Sequence, residues 1–158
     1  ICQKTDMSQG QTGVDLETSL GYVLKEASSA LRVAMEEVLR PLGMSVTHYA
    51  CLELLAQRPG LSNSELARGA FVTRQTMNVL LQALEREGYV TRPAEAPAGK
   101  ALPARLTPRG RRSLDKATVA VRSVESRMLA GLTEAEQADA FRILRSMIHA
   151  LREGNDGT

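Results

Sequence analysis

Residues 61–90 read LSNSELARGAFVTRQTMNVLLQALEREGYV, and this stretch decides the fold. Ser62 followed by Glu65 is a capping box, in which a hydroxyl and a carboxylate satisfy free backbone N–H groups at a helix start. It opens a short helix, SNSELARGA. Thr73 caps a longer one, RQTMNVLLQALERE, and Gly88 stands where a glycine ends a helix. Two capped helices joined by a tight turn and followed by a strand are the pattern of a helix-turn-helix, whose second helix can enter a DNA groove.

Downstream, residues 91–110 read TRPAEAPAGKALPARLTPRG. Tyr89 to Thr91 and Ala101 to Leu106 are predicted strands, separated by a Pro-, Ala- and Gly-rich loop. The segment is predicted to be a basic hairpin, or wing. Thr107 and Pro108 then form an N-cap and a first-turn proline that open another helix.

Upstream, apolar residues recur at Leu20, Leu24, Ala27, Leu31, Ala34 and Val38 within a predicted helix from Leu16 to Arg40, closed by Pro41. Ser45 caps a second helix running to about Gln57, which Pro59-Gly60 breaks. After the wing, Leu114, Ala117, Val121, Val124 and Met128 form one seam. Thr133 and Glu136 make a second capping box, opening a last helix with Phe141, Leu144, Ile148 and Leu151 on one stripe. Three such seams exceed the needs of one small domain, so both chain ends are expected to pack against a second copy. The predicted organisation is a flexible leader over 1–14, a helical dimerisation region over 15–40 and 113–153, and a winged helix-turn-helix over 45–112. The fold class is mainly α with a small β wing. The hexapeptide ICQKTD before Met7 shows no helical pattern and stays outside the fold reading.

Composition agrees with a helical core. Hydrophobic residues are 43% of the 158, aromatics 3%, and Trp is absent, which leaves Leu, Val, Ala and Met to fill the interior. The net charge of +2 is distributed unevenly. Residues 60–112 hold nine Lys/Arg against four acids, a local +5, so the remainder carries −3. A basic middle with acidic flanks suits a phosphate-facing segment between self-associating ends. Two cysteines rule out a disulfide framework, and neither a signal peptide nor an apolar stretch of spanning length is present, so the expected setting is the cytoplasm, with no membrane partner. His48 and His149 lack ligand-spaced neighbours, and neither a phosphate loop nor a nucleophile elbow is seen; the reading is no metal, no cofactor and no enzyme.

The chain from about Leu16 to Leu151 resembles the MarR family of winged helix-turn-helix transcriptional regulators. The matches are strongest in LSNSELARGAFVTRQTMNVLLQALEREGYV and in LTPRGRRSL, whose Leu-Thr-Pro-x-Gly run follows the wing in that family. The resemblance implies a homodimer, usually a repressor, that places a recognition helix in a major groove of double-stranded DNA and a wing in the adjacent minor groove. It also implies release from DNA when a small aromatic or amphipathic effector binds between the two lobes. The operator is then a near-palindrome with half-sites about a helical turn apart.

Candidate DNA contacts are Thr73, Arg74, Gln75, Thr76 and Asn78 in the recognition helix, since Arg reads guanine and Gln or Asn reads adenine. Ser62, Asn63 and Ser64 at the preceding helix start are candidates for phosphate, against simple capping. The family wing carries an aspartate and, two residues on, an arginine; here Ala98 and Lys100 take those places, leaving positive charge without the flat guanidinium fork. Arg92 and Arg105 near the strand ends are further phosphate candidates. The family cleft would draw on Arg32, Met35, Met44, His48, Tyr49 and Cys51, with Tyr49 and Met35 equally readable as core. Two competing readings stand beside the repressor: a winged-helix protein-interaction module without DNA binding, and a thiol redox regulator using Cys51.

Overall fold

A computed structural model describes residues 13–92 and 104–154. The wing loop, including Ala98 and Lys100, and most of the predicted leader fall outside those residues. The helices are α1 (Leu20–Leu39), α2 (Val46–Gln57), α3 (Asn63–Gly69), α4 (Arg74–Arg86), α5 (Pro108–Leu129) and α6 (Glu134–Glu153). Strands β1 (Val90–Thr91) and β2 (Arg105–Leu106) pair antiparallel, with Val90 opposite Leu106 and Thr91 opposite Arg105.

The predicted caps govern these boundaries. The hydroxyls of Ser45, Ser62, Thr73, Thr107 and Thr133 each accept a backbone N–H three residues on, and both capping boxes are closed by the return bonds from Glu65 and Glu136. Gly88 follows α4 at φ 79°, a backbone region that a side chain disfavours. The first helix departs from expectation. It starts at Leu20 rather than Leu16, because Ser19 caps it and Asp15 accepts the backbone N–H of Glu17 and the hydroxyl of Thr18. Such local side-chain bonds compete with helix continuation. Pro41 sits inside a single 3-10 turn (Arg40–Leu42) after Leu39, and Gly43 at φ 68° redirects the chain.

The core is assembled from α2, α3, α4 and the start of α5: Leu52, Leu55, Leu66, Met77, Leu81, Leu84, Val90, Leu114 and Ala117 are buried together, closed at one end by Leu39 and Met44. Within α5, Leu114, Ala117 and Val124 are buried in their own chain, so most of that seam serves the subunit's interior rather than a second copy. The predicted α1 seam is divided: Leu31 and Ala34 are half-buried and Val38 packs against the core, whereas its start and the α6 stripe are uncovered among the described residues. No residue of α6 is buried, and Phe141, Leu144, Ile148 and Leu151 lie exposed, as do Leu20 and Leu24 of α1.

The Leu106-Thr107-Pro108-Arg109-Gly110 run has a specific mechanical task. The Thr107 hydroxyl donates to the Gly88 carbonyl at 2.6 Å while accepting the Gly110 N–H, and the Thr107 N–H donates to the Tyr89 carbonyl at 3.1 Å. Gly110 lies so close to that carbonyl that a Cβ there would be 2.1 Å from the oxygen. The base of the wing is thereby fastened to the end of α4, and the first turn of α5 to both.

Candidate nucleic-acid interface and effector cleft

Met77, Leu81 and Leu84 anchor α4 in the core, a spacing of four and three that fixes which side faces out. Thr73, Arg74, Gln75, Thr76 and Asn78 are all exposed. Thr73 is occupied as the cap: its hydroxyl accepts the Thr76 N–H and donates to the Thr76 hydroxyl, leaving the Thr76 O–H proton for an external acceptor. Arg74 makes no ion pair among the described residues.

The face diametrically opposite the core is the stripe Gln75, Val79, Gln82 and Arg86, all exposed. Sequence reasoning stopped at the first turn and left out Val79, Gln82 and Arg86. Their signal was available, since they follow Gln75 by four, seven and eleven residues. Phe71 was also missed. It lies in the turn before Thr73, 88% exposed and at φ 58°, a left-handed conformation that costs a non-glycine residue about 1–2 kcal/mol. Sequence patterns carry no signal for that strain.

Other candidates are partly committed inside the chain. Ser62 uses both its hydroxyl and its N–H in the capping box. The Ser62 N–H also holds the Glu65 carboxyl below the usual carboxylate range. Asn63 and Ser64 are half-buried, and the buried Asn63 Oδ1 has no partner among the described residues. Arg92 forms an ion pair with Glu85 at 2.9 Å, tying the wing to the last turn of α4 rather than standing free for phosphate. Arg105 is exposed on β2. Lys100 lies outside the described residues.

The structure places the six residues proposed for an effector cleft in different settings. Met44 and Cys51 are buried in the core and Met35 packs against it. Arg32 is exposed and paired with Glu36 at 3.0 Å. Tyr49 is half-buried near Glu53 and Thr118, and burial raises its phenol pKa first, with Glu53 adding to it. Arg32 and Met35 of α1, and His48, Tyr49 and Cys51 of α2, lie only a few places apart on their helices and so point in different directions. Burial pushes the Cys51 thiol up to about 12, so it carries essentially no thiolate at neutral pH. Hydrogen peroxide is therefore expected to leave DNA affinity unchanged, and Cys51→Ser to behave as the parent in a band-shift titration; a peroxide response lost in that variant would restore the thiol-switch reading.

His48 leads elsewhere. Its ring meets Tyr89 edge-on, with centroids 5.3 Å apart, and its buried Nε2 has no partner among the described residues. Desolvation lowers its pKa, opposed weakly by Glu87. The Arg109 guanidinium lies over the Tyr89 ring, 4.9 Å from its centroid. Tyr89 thus connects the interior to a cleft of about 370 Å³ lined by Pro41, Leu42, Arg109, Arg112, Ser113 and Lys116. An apolar edge, an aromatic ring and three cations within one opening suit a small aromatic anion. A larger cleft of about 660 Å³ is lined by α1 alone and lies open along its outer side. Among the described residues there is no cluster of three or more metal-ligating side chains, and no helix is long and apolar enough to cross a membrane.

Comparison with known proteins agrees with this architecture. Residues 42–101 match the family model described as MarR family. The HTH-type transcriptional repressor Rv2887 of Mycobacterium tuberculosis is 42% identical over 135 residues, covering 85% of this chain and 97% of the relative. A crystal structure of that M. tuberculosis MarR family protein in complex with salicylic acid superimposes with a TM-score of 0.68 at 43% identity, covering 82% of this chain and 96% of that one. Its complex with DNA gives 0.67 at 42% identity, covering 82% and 97%. With its capped helix-turn-helix, its Thr107 and Gly110 clasp and a relative matched over nearly its whole length, the chain belongs to the MarR family of winged helix-turn-helix transcriptional regulators.

Proposed function

We propose that this chain acts as a homodimeric repressor that binds near-palindromic duplex DNA through α4 and releases it when a small aromatic anion enters the cleft beside Tyr89. The observation that carries the reading is the α4 surface: exposed Thr73, Arg74, Gln75, Thr76 and Asn78 on a helix held rigid by buried Met77, Leu81 and Leu84. The relative crystallised with DNA supports it. Asn63, Ser64 and Arg105 are assigned to phosphates, with Lys100 completing the wing. Regulation of transcription sets the site of action in the cytoplasm.

Arg74→Ala is expected to weaken specific binding by about 1–3 kcal/mol, roughly ten- to a hundredfold, with little change in non-specific binding. A band shift on the DNA upstream of the chain's own gene measures both. Unchanged specific affinity would remove Arg74 from base reading. Absence of specific binding by the parent chain at low salt would favour the protein-interaction module instead.

The exposed apolar faces of α1 and α6 support the second copy. The effector assignment rests on Arg109 over the Tyr89 ring, on Arg112 and Lys116 lining the same cleft, and on the relative crystallised with salicylic acid. Arg112→Ala is expected to weaken salicylate about tenfold, the scale of one charge-assisted hydrogen bond. It is read as a smaller salicylate-induced rise in melting temperature. Inorganic phosphate serves as the control for a merely anionic site. An equal salicylate response in parent and variant would exclude this cleft.

A further inference from the structure

Val79 is 62% exposed, and within α2, α3 and α4 it is the one large apolar side chain left outside. It occupies the middle of the α4 stripe, four residues after Gln75 and three before Gln82, on the side away from Met77, Leu81 and Leu84. A β-branched residue there lowers helix propensity and covers no part of the core. Single exposed apolar residues are ordinary on protein surfaces. This one differs in its setting, since its stripe neighbours are all polar: two amides and the guanidinium of Arg86.

The major-groove edge of DNA offers one apolar group, the C5 methyl of thymine, and its adenine partner is the base that Gln reads through N6 and N7. Along the helix, Gln75 and Gln82 lie about 6 Å and 4.5 Å from Val79, at 1.5 Å per residue. Those intervals reach neighbouring base pairs stacked about 3.4 Å apart. We infer that Val79 is a specificity-determining residue that packs on a thymine methyl in each half-site, flanked by Gln75 and Gln82 reading adenines, so that the centre of each half-site contains A·T pairs. The inference rests on the DNA-binding reading above.

The test begins with selection of binding sites from a random-sequence duplex library by the full chain and by Val79→Ala. Each selected thymine is then replaced singly by deoxyuridine, which removes the methyl and keeps the pairing. For the parent, one position per half-site is expected to lose about fourfold in affinity, the value of one buried methyl-sized group. Val79→Ala is expected to bind the thymine and deoxyuridine duplexes equally at that position, because its shorter side chain leaves the methyl uncovered. Ala favours the helix and position 79 is exposed, so the variant retains the fold. If Val79→Ala keeps the parent's full methyl discrimination, or no methyl matters to the parent, the inference is overturned alone. If the parent enriches no sequence at all, the DNA-binding reading falls and takes this one with it.

Discussion

A chain carrying Leu144→Glu and Ile148→Glu is expected to run as a monomer and to lose at least about a hundredfold in affinity for a two-half-site operator. Both residues lie on α6, which contributes no buried residue to its own subunit, and both remain about 40% exposed. With Phe141 and Leu151 they form an apolar stripe that no described residue of the same subunit covers. Burying an unpaired carboxylate in that contact costs several kcal/mol, enough to dissociate the dimer at working concentrations. The DNA effect follows from the loss of linkage, because joining two reading heads raises affinity by about 10²–10⁴ without any new contact to a base. Sedimentation measures the assembly and anisotropy the binding. The core lies elsewhere, so the helical signal at low temperature is expected to persist in the variant. A double variant that still sediments as a dimer would falsify the assignment of α6 to the interface.

Gly110→Ala is expected to lower the melting temperature by about 2–12 °C and to abolish operator binding above that reduced range. The added Cβ would meet the Tyr89 carbonyl oxygen at 2.1 Å, and a backbone atom cannot rotate away as a flexible side chain can. Relief requires α5 to lift from the wing base, straining the bonds from Thr107 to Gly88 and Tyr89. Overpacking of this kind costs about 1–3 kcal/mol, and for a chain of this length each kcal/mol is worth roughly 2–4 °C. Thr107→Val, which removes the hydroxyl bond and adds no clash, should shift melting less. If Gly110→Ala melts with the parent, the close approach is not what requires glycine there.

The helix boundaries were legible because they are local. A hydroxyl reaching an N–H three residues on needs nothing from the rest of the chain, so Ser45, Ser62, Thr73, Thr107 and Thr133 could be placed from neighbouring residues. The recognition surface was partly legible for the same reason. Once Met77, Leu81 and Leu84 are core, periodicity alone sets Gln75, Val79 and Gln82 opposite.

What only the tertiary structure decided involves distant partners. The α5 seam looked like an intersubunit face, yet Leu114 and Ala117 fill the interior because α2 and the wing pack on that side. Arg92 looked available for phosphate, yet it is folded back onto Glu85 seven residues away. The effector candidates lie on neighbouring helices in different settings, from exposed Arg32 to buried Cys51. The cleft instead gathers Pro41 and Leu42, Tyr89, and Arg109 to Lys116 from three separated segments. By itself, then, the sequence determined the order of helices, their caps and the outward face of α4, all set by bonds spanning a few residues. Tertiary packing decided which apolar seam is core, which arginine is ion-paired and which cations share the cleft beside Tyr89, because those depend on contacts between separated segments.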